Sequence, residues 1–136
     1  MKIHAPEAYE TATELEVIEQ NLPLGGVTVL ELGCGQAWMT RKISELFAPA
    51  RVIATEVDRI QHEKNLLIDD LPVVEFRYGE AEQVDLPNNS VDVVLMLKSL
   101  HHVPVEKMDQ SLGEIARVLK PGGLAYLSEP VYAGDF

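Results

Sequence analysis

The strongest constraint on this chain is an alternation. Short apolar runs at residues 27–32, 52–57, 73–78 and 91–97, with another opening at 124–127, are separated by segments with helical spacing, except that residues 79–90, with Pro87 and Asn88-Asn89, read as a polar loop. In residues 7–22 the apolar positions Ala8, Ala12, Leu15, Ile18 and Leu22 share one helical face. Pro6 suits a first helical position, and Pro23 with Gly25-Gly26 ends that segment. Residues 38–47 and 59–67 read as two further helices. Pro104 opens the clearest one, with Val105, Met108, Leu112, Ile115 and Leu119 along one face. Pro121-Gly122-Gly123 reads as a stop and turn before the last run. The run at 91–97 is almost wholly apolar, as a strand covered on both faces should be. Strand alternating with helix predicts an α/β fold with a parallel sheet and right-handed crossovers. At 136 residues the chain is expected to be a single domain.

Charge and cysteine content narrow the function classes. Eleven basic against 22 acidic side chains leave a formal charge of −11, and only Arg41 and Lys42 are adjacent cations. Such a field repels a nucleic-acid backbone. The single cysteine, Cys34, excludes an internal disulfide framework. The first residues lack an apolar signal core, and no apolar stretch approaches membrane-spanning length, so the expected compartment is the cytoplasm.

In parallel α/β sheets, ligands bind beyond the carboxyl ends of the strands, so function is sought in four loops. After the first run comes Glu31-Leu32-Gly33-Cys34-Gly35-Gln36-Ala37. Its glycines admit a ligand close to the backbone, although Gly-x-Gly alone also describes a plain tight turn. A dinucleotide fingerprint would need a third glycine where Trp38 stands, which disfavours NAD, and no Walker lysine follows. Glu56 ends the second run and can accept from a pair of ribose hydroxyls, while Asp58 can instead cap the next helix. Glu80 after the third run can accept from an exocyclic amine, or be a solvated surface acid. His101 and His102 follow the fourth run as a candidate base, proton shuttle or packing pair. Adjacent histidines alone do not supply a metal ligand set, and none is expected.

In this order the segments resemble a known family. Val29-Leu30-Glu31-Leu32-Gly33-Cys34-Gly35 is similar to the first motif of class I S-adenosylmethionine-dependent methyltransferases. Matching segments follow at 52–58, 79–87 and 90–103. Glu114-Ile115-Ala116-Arg117-Val118-Leu119-Lys120-Pro121-Gly122-Gly123 resembles the type 11 subgroup, which includes quinone and sterol C-methyltransferases. The resemblance covers residues 27–130. It implies a Rossmann-like doubly wound sheet of order 3-2-1-4-5, normally followed by an antiparallel strand pair. It implies S-adenosyl-L-methionine as cofactor and S-adenosyl-L-homocysteine as product. It implies that Gly33, Cys34 and Gly35 pass under the methionine part and that Glu31 helps hold its amino group. Glu56, with Val57 beside it, would meet the ribose, Glu80 and Ala81 the adenine, and Leu97 the cofactor and substrate. Ala37 stands where the family often has a third glycine, which its methyl tolerates if the backbone φ there is negative. Cys34 also fits as a small buried filler.

The implied chemistry is methyl transfer to a small-molecule acceptor by in-line displacement, with His101 first and His102 second as base where the acceptor loses a proton. The helix of residues 1–22 is expected to pack on the core or to act as a lid, with Tyr9 as a contact. The alternative is a cofactor-binding module or partner subunit without turnover, or a fragment of a longer methyltransferase. Only residues 131–136 follow the fifth strand, so most of the usual antiparallel pair is missing and the exposed strand edge predicts self-association.

Overall fold

A computed structural model describes residues 6–129, and the side chains of residues 14–129. Among these residues five strands and four helices follow in the expected order, with a loop in place of a helix between β3 and β4: α1 (Pro6–Asn21), β1 (Thr28–Leu32), α2 (Trp38–Leu46), β2 (Arg51–Glu56), α3 (Arg59–Asn65), β3 (Val74–Tyr78), β4 (Val91–Leu97), α4 (Met108–Val118) and β5 (Leu119–Ser128). Two 3-10 turns, Leu100–His102 and Val105–Lys107, lie between β4 and α4. All neighbouring strands pair in parallel, in the order β3-β2-β1-β4-β5. The order reverses between β1 and β4, and this is where the strand ends open a crevice.

Alternate side chains of the strands feed two cores, as the two-residue period of a strand requires. On one face Ile18 and Leu22, with Leu24, join Ile43 of α2 against Val29, Val52, Val93 and Leu95. On the other, Ile115 and Val118 of α4 and Ala81 and Val84 from the loop after β3 cover Leu30, Leu32, Ile53, Val94 and Met96. Each such aliphatic side chain contributes about 1.5–3 kcal/mol when fully buried. The central strands are therefore rigid supports for the loops at their ends.

Two expectations change. The helix after β4 is a full α-helix only from Met108, and its buried positions are Ser111, Ile115 and Val118, while Val105 is 84% and Leu112 43% exposed. The phase differs because Ser111 can be buried at no polar cost: its hydroxyl donates to Lys107 O at 3.0 Å. The Pro121-Gly122-Gly123 stretch is not a turn before β5. It lies within β5, between the Val91–Leu119 and Val93–Leu124 pairs, where the register shifts. A Cβ on Gly123 would lie 2.9 Å from Asp92 O, so only glycine lets the chain pass this bulge. Among the described residues, β5 pairs with β4 alone.

Candidate functional site

A cavity of about 520 Å³ opens at the carboxyl ends of the strands, lined by the glycine loop, the end of β2, residues 79–82, the end of β4 and residues 102–104. That volume suits a small molecule. The glycine loop is fastened to β2, for Gly33 N and Cys34 N both donate to Thr55 O, at 2.9 and 2.8 Å. Gly33 has φ +75, and a Cβ there would come within 2.6 Å of Ser99 Cβ. The missing side chain lets the end of β4 close on the loop, where Ser99 Oγ donates to Leu32 O at 2.9 Å. Gly35 has φ +56, and nothing lies within 4 Å of the place a Cβ would take. The backbone there is bare toward the cavity it lines.

Glu56 stands at the same wall. Its Oε1 accepts from Gly35 N at 2.7 Å and its Oε2 from Asp58 N at 3.1 Å. These bonds aim the carboxylate while leaving lone pairs on both oxygens. The Asp58 carboxylate instead caps α3, accepting from Ile60 N at 2.9 Å and Gln61 N at 3.2 Å. Val57, Glu80, Ala81 and Leu97 all line the cavity.

Glu31 does not line it. The residue is 3% exposed beneath the loop, where Thr40 Oγ1 donates to its carboxyl at 2.5 Å. Burial pushes this carboxyl up to about 7; the Thr40 bond opposes the shift and the charge of Glu56 adds to it. Cys34 is also buried, with Asn65 Nδ2 3.6 Å from its sulfur. Burial raises its thiol pKa far above the ordinary range, and Glu31 and Glu56 raise it further. Ala37 departs from expectation, because its φ is +65 rather than negative. The turn is closed by Ala37 N donating to Cys34 O at 2.9 Å, which holds the alanine left-handed at about 1–2 kcal/mol.

The histidines separate. His102 forms part of the cavity wall, whereas His101 does not and has its Nδ1 3.1 Å from Glu129 Oε1. Their ring centroids are 4.0 Å apart. Tyr9 lies outside the residues whose side chains are described. A second cavity of about 210 Å³ adjoins the first, sharing Cys34, Leu97 and Lys98, with Glu14 of α1, Trp38 and Met39 on its far side.

The arrangement can hold a cationic molecule carrying a diol: Glu56, Glu80 and Glu82 are acidic wall residues, and Lys98 is the basic one. The family model of a methyltransferase domain matches residues 30–127. The chain belongs to this methyltransferase domain family. An uncharacterized methyltransferase of Mycobacterium bovis is 36% identical over 108 residues, covering 79% of this chain and 42% of that protein. The sterol 24-C-methyltransferase of Yarrowia lipolytica is 30% identical over 115 residues, covering 82% of this chain and 29% of that protein. A solved S-adenosylmethionine-dependent methyltransferase from Aquifex aeolicus superposes with a TM-score of 0.72 at 26% identity, over 83% of this chain and 60% of that one. The chain thus spans less than half the length of these two curated relatives.

Three residues that shape this cavity's walls escaped sequence reasoning. Ser99 latches β4 to the loop, Thr40 holds Glu31, and Asn65, 1% exposed, donates to Gly35 O at 2.8 Å. The signal for the last was a polar residue at the close of α3's weak apolar stripe; the other two carry none.

Proposed function

We propose that this domain binds S-adenosyl-L-methionine and transfers its methyl group to a small-molecule acceptor, releasing S-adenosyl-L-homocysteine. The observation that carries the reading is the Glu56 carboxylate, oriented by Gly35 N at 2.7 Å beside an open glycine backbone. In this reading Glu56 accepts from both ribose hydroxyls, with Val57 beside it on the wall. Glu80 and Ala81 meet the adenine, and Gly33, Cys34, Gly35 and Leu97 border the methionine part. Glu31 acts from beneath the loop through Thr40 rather than by lining the cavity. When bound, the cofactor supplies a methyl already activated on a positive sulfonium, with a neutral thioether leaving. The protein's share is orientation and water exclusion, worth about 7–11 kcal/mol for a well-aligned pair.

The adjoining cavity beyond Cys34 and Leu97 is the acceptor side, with α1 as its cover through Glu14. His102 is the wall group that can take a proton where the acceptor loses one. Loss of methyl transfer in His102→Gln with cofactor affinity unchanged supports that, and full turnover in the variant removes it. Among the described residues the outer edge of β5 pairs with no strand, Leu124 being 42% and Leu127 37% exposed, and a second copy of this chain is the occupant this reading gives it. A monomer by light scattering with a cooperative melt rules out the second copy.

Calorimetric titration tests the cofactor. S-adenosylmethionine is expected to bind and NAD not to. Glu56→Ala is expected to weaken binding by about 1.5–3 kcal/mol, the worth of hydrogen bonds to a charged group. Unchanged affinity in the variant removes Glu56 from the site, and no binding to the wild-type protein ends the reading. Binding without methyl transfer to a pool of cell metabolites favours a cofactor module that needs a partner.

A further inference from the structure

The segment after β3 supplies four wall residues of the cavity, Gly79, Glu80, Ala81 and Glu82, yet residues 79–90 form an irregular loop. Irregular backbone needs partners for its N–H and C=O groups. This loop obtains them from one side of α4. Glu114 Oε1 accepts from Val84 N at 2.8 Å, while Arg117 donates to Val84 O at 2.8 Å, so both backbone groups of Val84 are held by one ion pair. Arg117 also donates to Leu86 O at 2.8 Å and to Asn88 Oδ1 at 2.9 Å. Its Nε is 2.7 Å from Glu114 Oε2, which fixes the fork that reaches the loop. One turn earlier, Gln110 Nε2 donates to Glu82 O at 2.7 Å, and Lys107 Nζ lies 3.8 Å from Glu82 Oε2.

Positions 110, 114 and 117 recur at steps of four and three, so they form one stripe along α4, and Lys107 stands at its N-cap. Beside it, Ile115 packs in the same core cluster as Ala81 and Val84. None of the residues from Met108 to Val118 lines the cavity itself.

We propose that Arg117, Glu114 and Gln110 are positioning residues for the adenine-side wall. The stripe on α4 sets where Glu80 and Ala81 stand, so affinity for the nucleoside is governed by a helix that never touches it. This rests on the cofactor reading above. Lysine cannot replace Arg117 fully, because a single ammonium cannot serve Val84, Leu86, Asn88 and Glu114 in one planar fork.

The test compares Arg117→Met, Arg117→Lys and Gln110→Ala with Arg41→Met, which breaks the exposed Arg41–Asp70 pair and touches no residue of the loop. Calorimetry measures S-adenosylhomocysteine affinity, and amide hydrogen exchange follows residues 79–86 without ligand. Arg117→Met is expected to raise Kd at least tenfold and to speed exchange at 80–86, with β1 and β4 amides unchanged. Arg117→Lys falls between, and Arg41→Met binds as wild type. A Kd in Arg117→Met no higher than in Arg41→Met overturns the proposal, as does unchanged exchange at 80–86. Should Arg117→Met fail to fold, Gln110→Ala decides: a Kd raised severalfold supports the proposal and an unchanged one refutes it. Wild-type protein that binds no S-adenosylhomocysteine ends both the cofactor reading and the adenine role, and the exchange rates then report on the loop grip alone.

Discussion

Replacing Glu31 by glutamine isolates one buried carboxyl. In the folded chain burial lifts it from 4.5 to about 7, against the Thr40 hydrogen bond and with help from Glu56. The unfolded chain ionises at the ordinary value. Between those two pH values the folded state keeps a proton that the unfolded state has released. Stability from this group is therefore full below about 4.5, falls as pH rises, and levels off above about 7. At 1.36 kcal/mol per unit, the whole span is about 3 kcal/mol. Glutamine keeps the shape and an acceptor for Thr40 but cannot ionise.

Urea melts of both proteins at several pH values from 5 to 8 give the difference in unfolding free energy. Glu31→Gln should gain on the wild type as pH rises, by up to about 3 kcal/mol at pH 8 relative to its standing at low pH. Asp70, Glu75 and Glu114 do not disturb the comparison. Their carboxyls are held below the ordinary range by Arg41, by Arg77 and Arg51, and by Arg117, so their contributions fade only at more acidic pH, and in both proteins alike. A difference that stays constant from pH 5 to 8 refutes the buried-carboxyl reasoning.

Gly33→Ala sets a methyl 2.6 Å from Ser99 Cβ at φ +75, and should cost about 3 kcal/mol in a urea melt; a loss under half of that means the end of β4 yields freely. Asp58→Ala removes the acceptor for Ile60 N and Gln61 N and should cost about 1 kcal/mol, with a neutral result showing that α3 does not depend on its cap. Cys34, buried and with its thiol pKa raised, should resist a thiol reagent at neutral pH until the chain is unfolded, and rapid labelling of the native protein contradicts that burial.

The strands were legible because apolar periodicity reports which faces are covered, while their order came from the family resemblance alone. The run at 91–97 appears as β4 with those bounds, and the helix at 38–47 as Trp38–Leu46. Periodicity cannot see a polar side chain that satisfies itself, and so Ser111 shifted the phase of α4. The glycine loop and Glu56 were legible for a different reason: strand ends at a topological reversal converge whatever the details of packing. What the residues on either side of the loop do was not. Glu31 sits two positions before Gly33 in a strand whose side chains alternate, and its exclusion from the cavity depends on Thr40, nine residues away, reaching it from α2. His101 and His102 are neighbours in sequence, yet a 3-10 turn after β4 sends one to Glu129 and the other to the cavity wall. Ala37 makes the same point about the backbone. Nothing in an alanine announces a left-handed φ; the hydrogen bond from its own N–H to Cys34 O imposes it, in a turn already fastened to β2 through Thr55 O. Residue type marks where the cavity lies, and long-range contacts decide which of the marked groups line it.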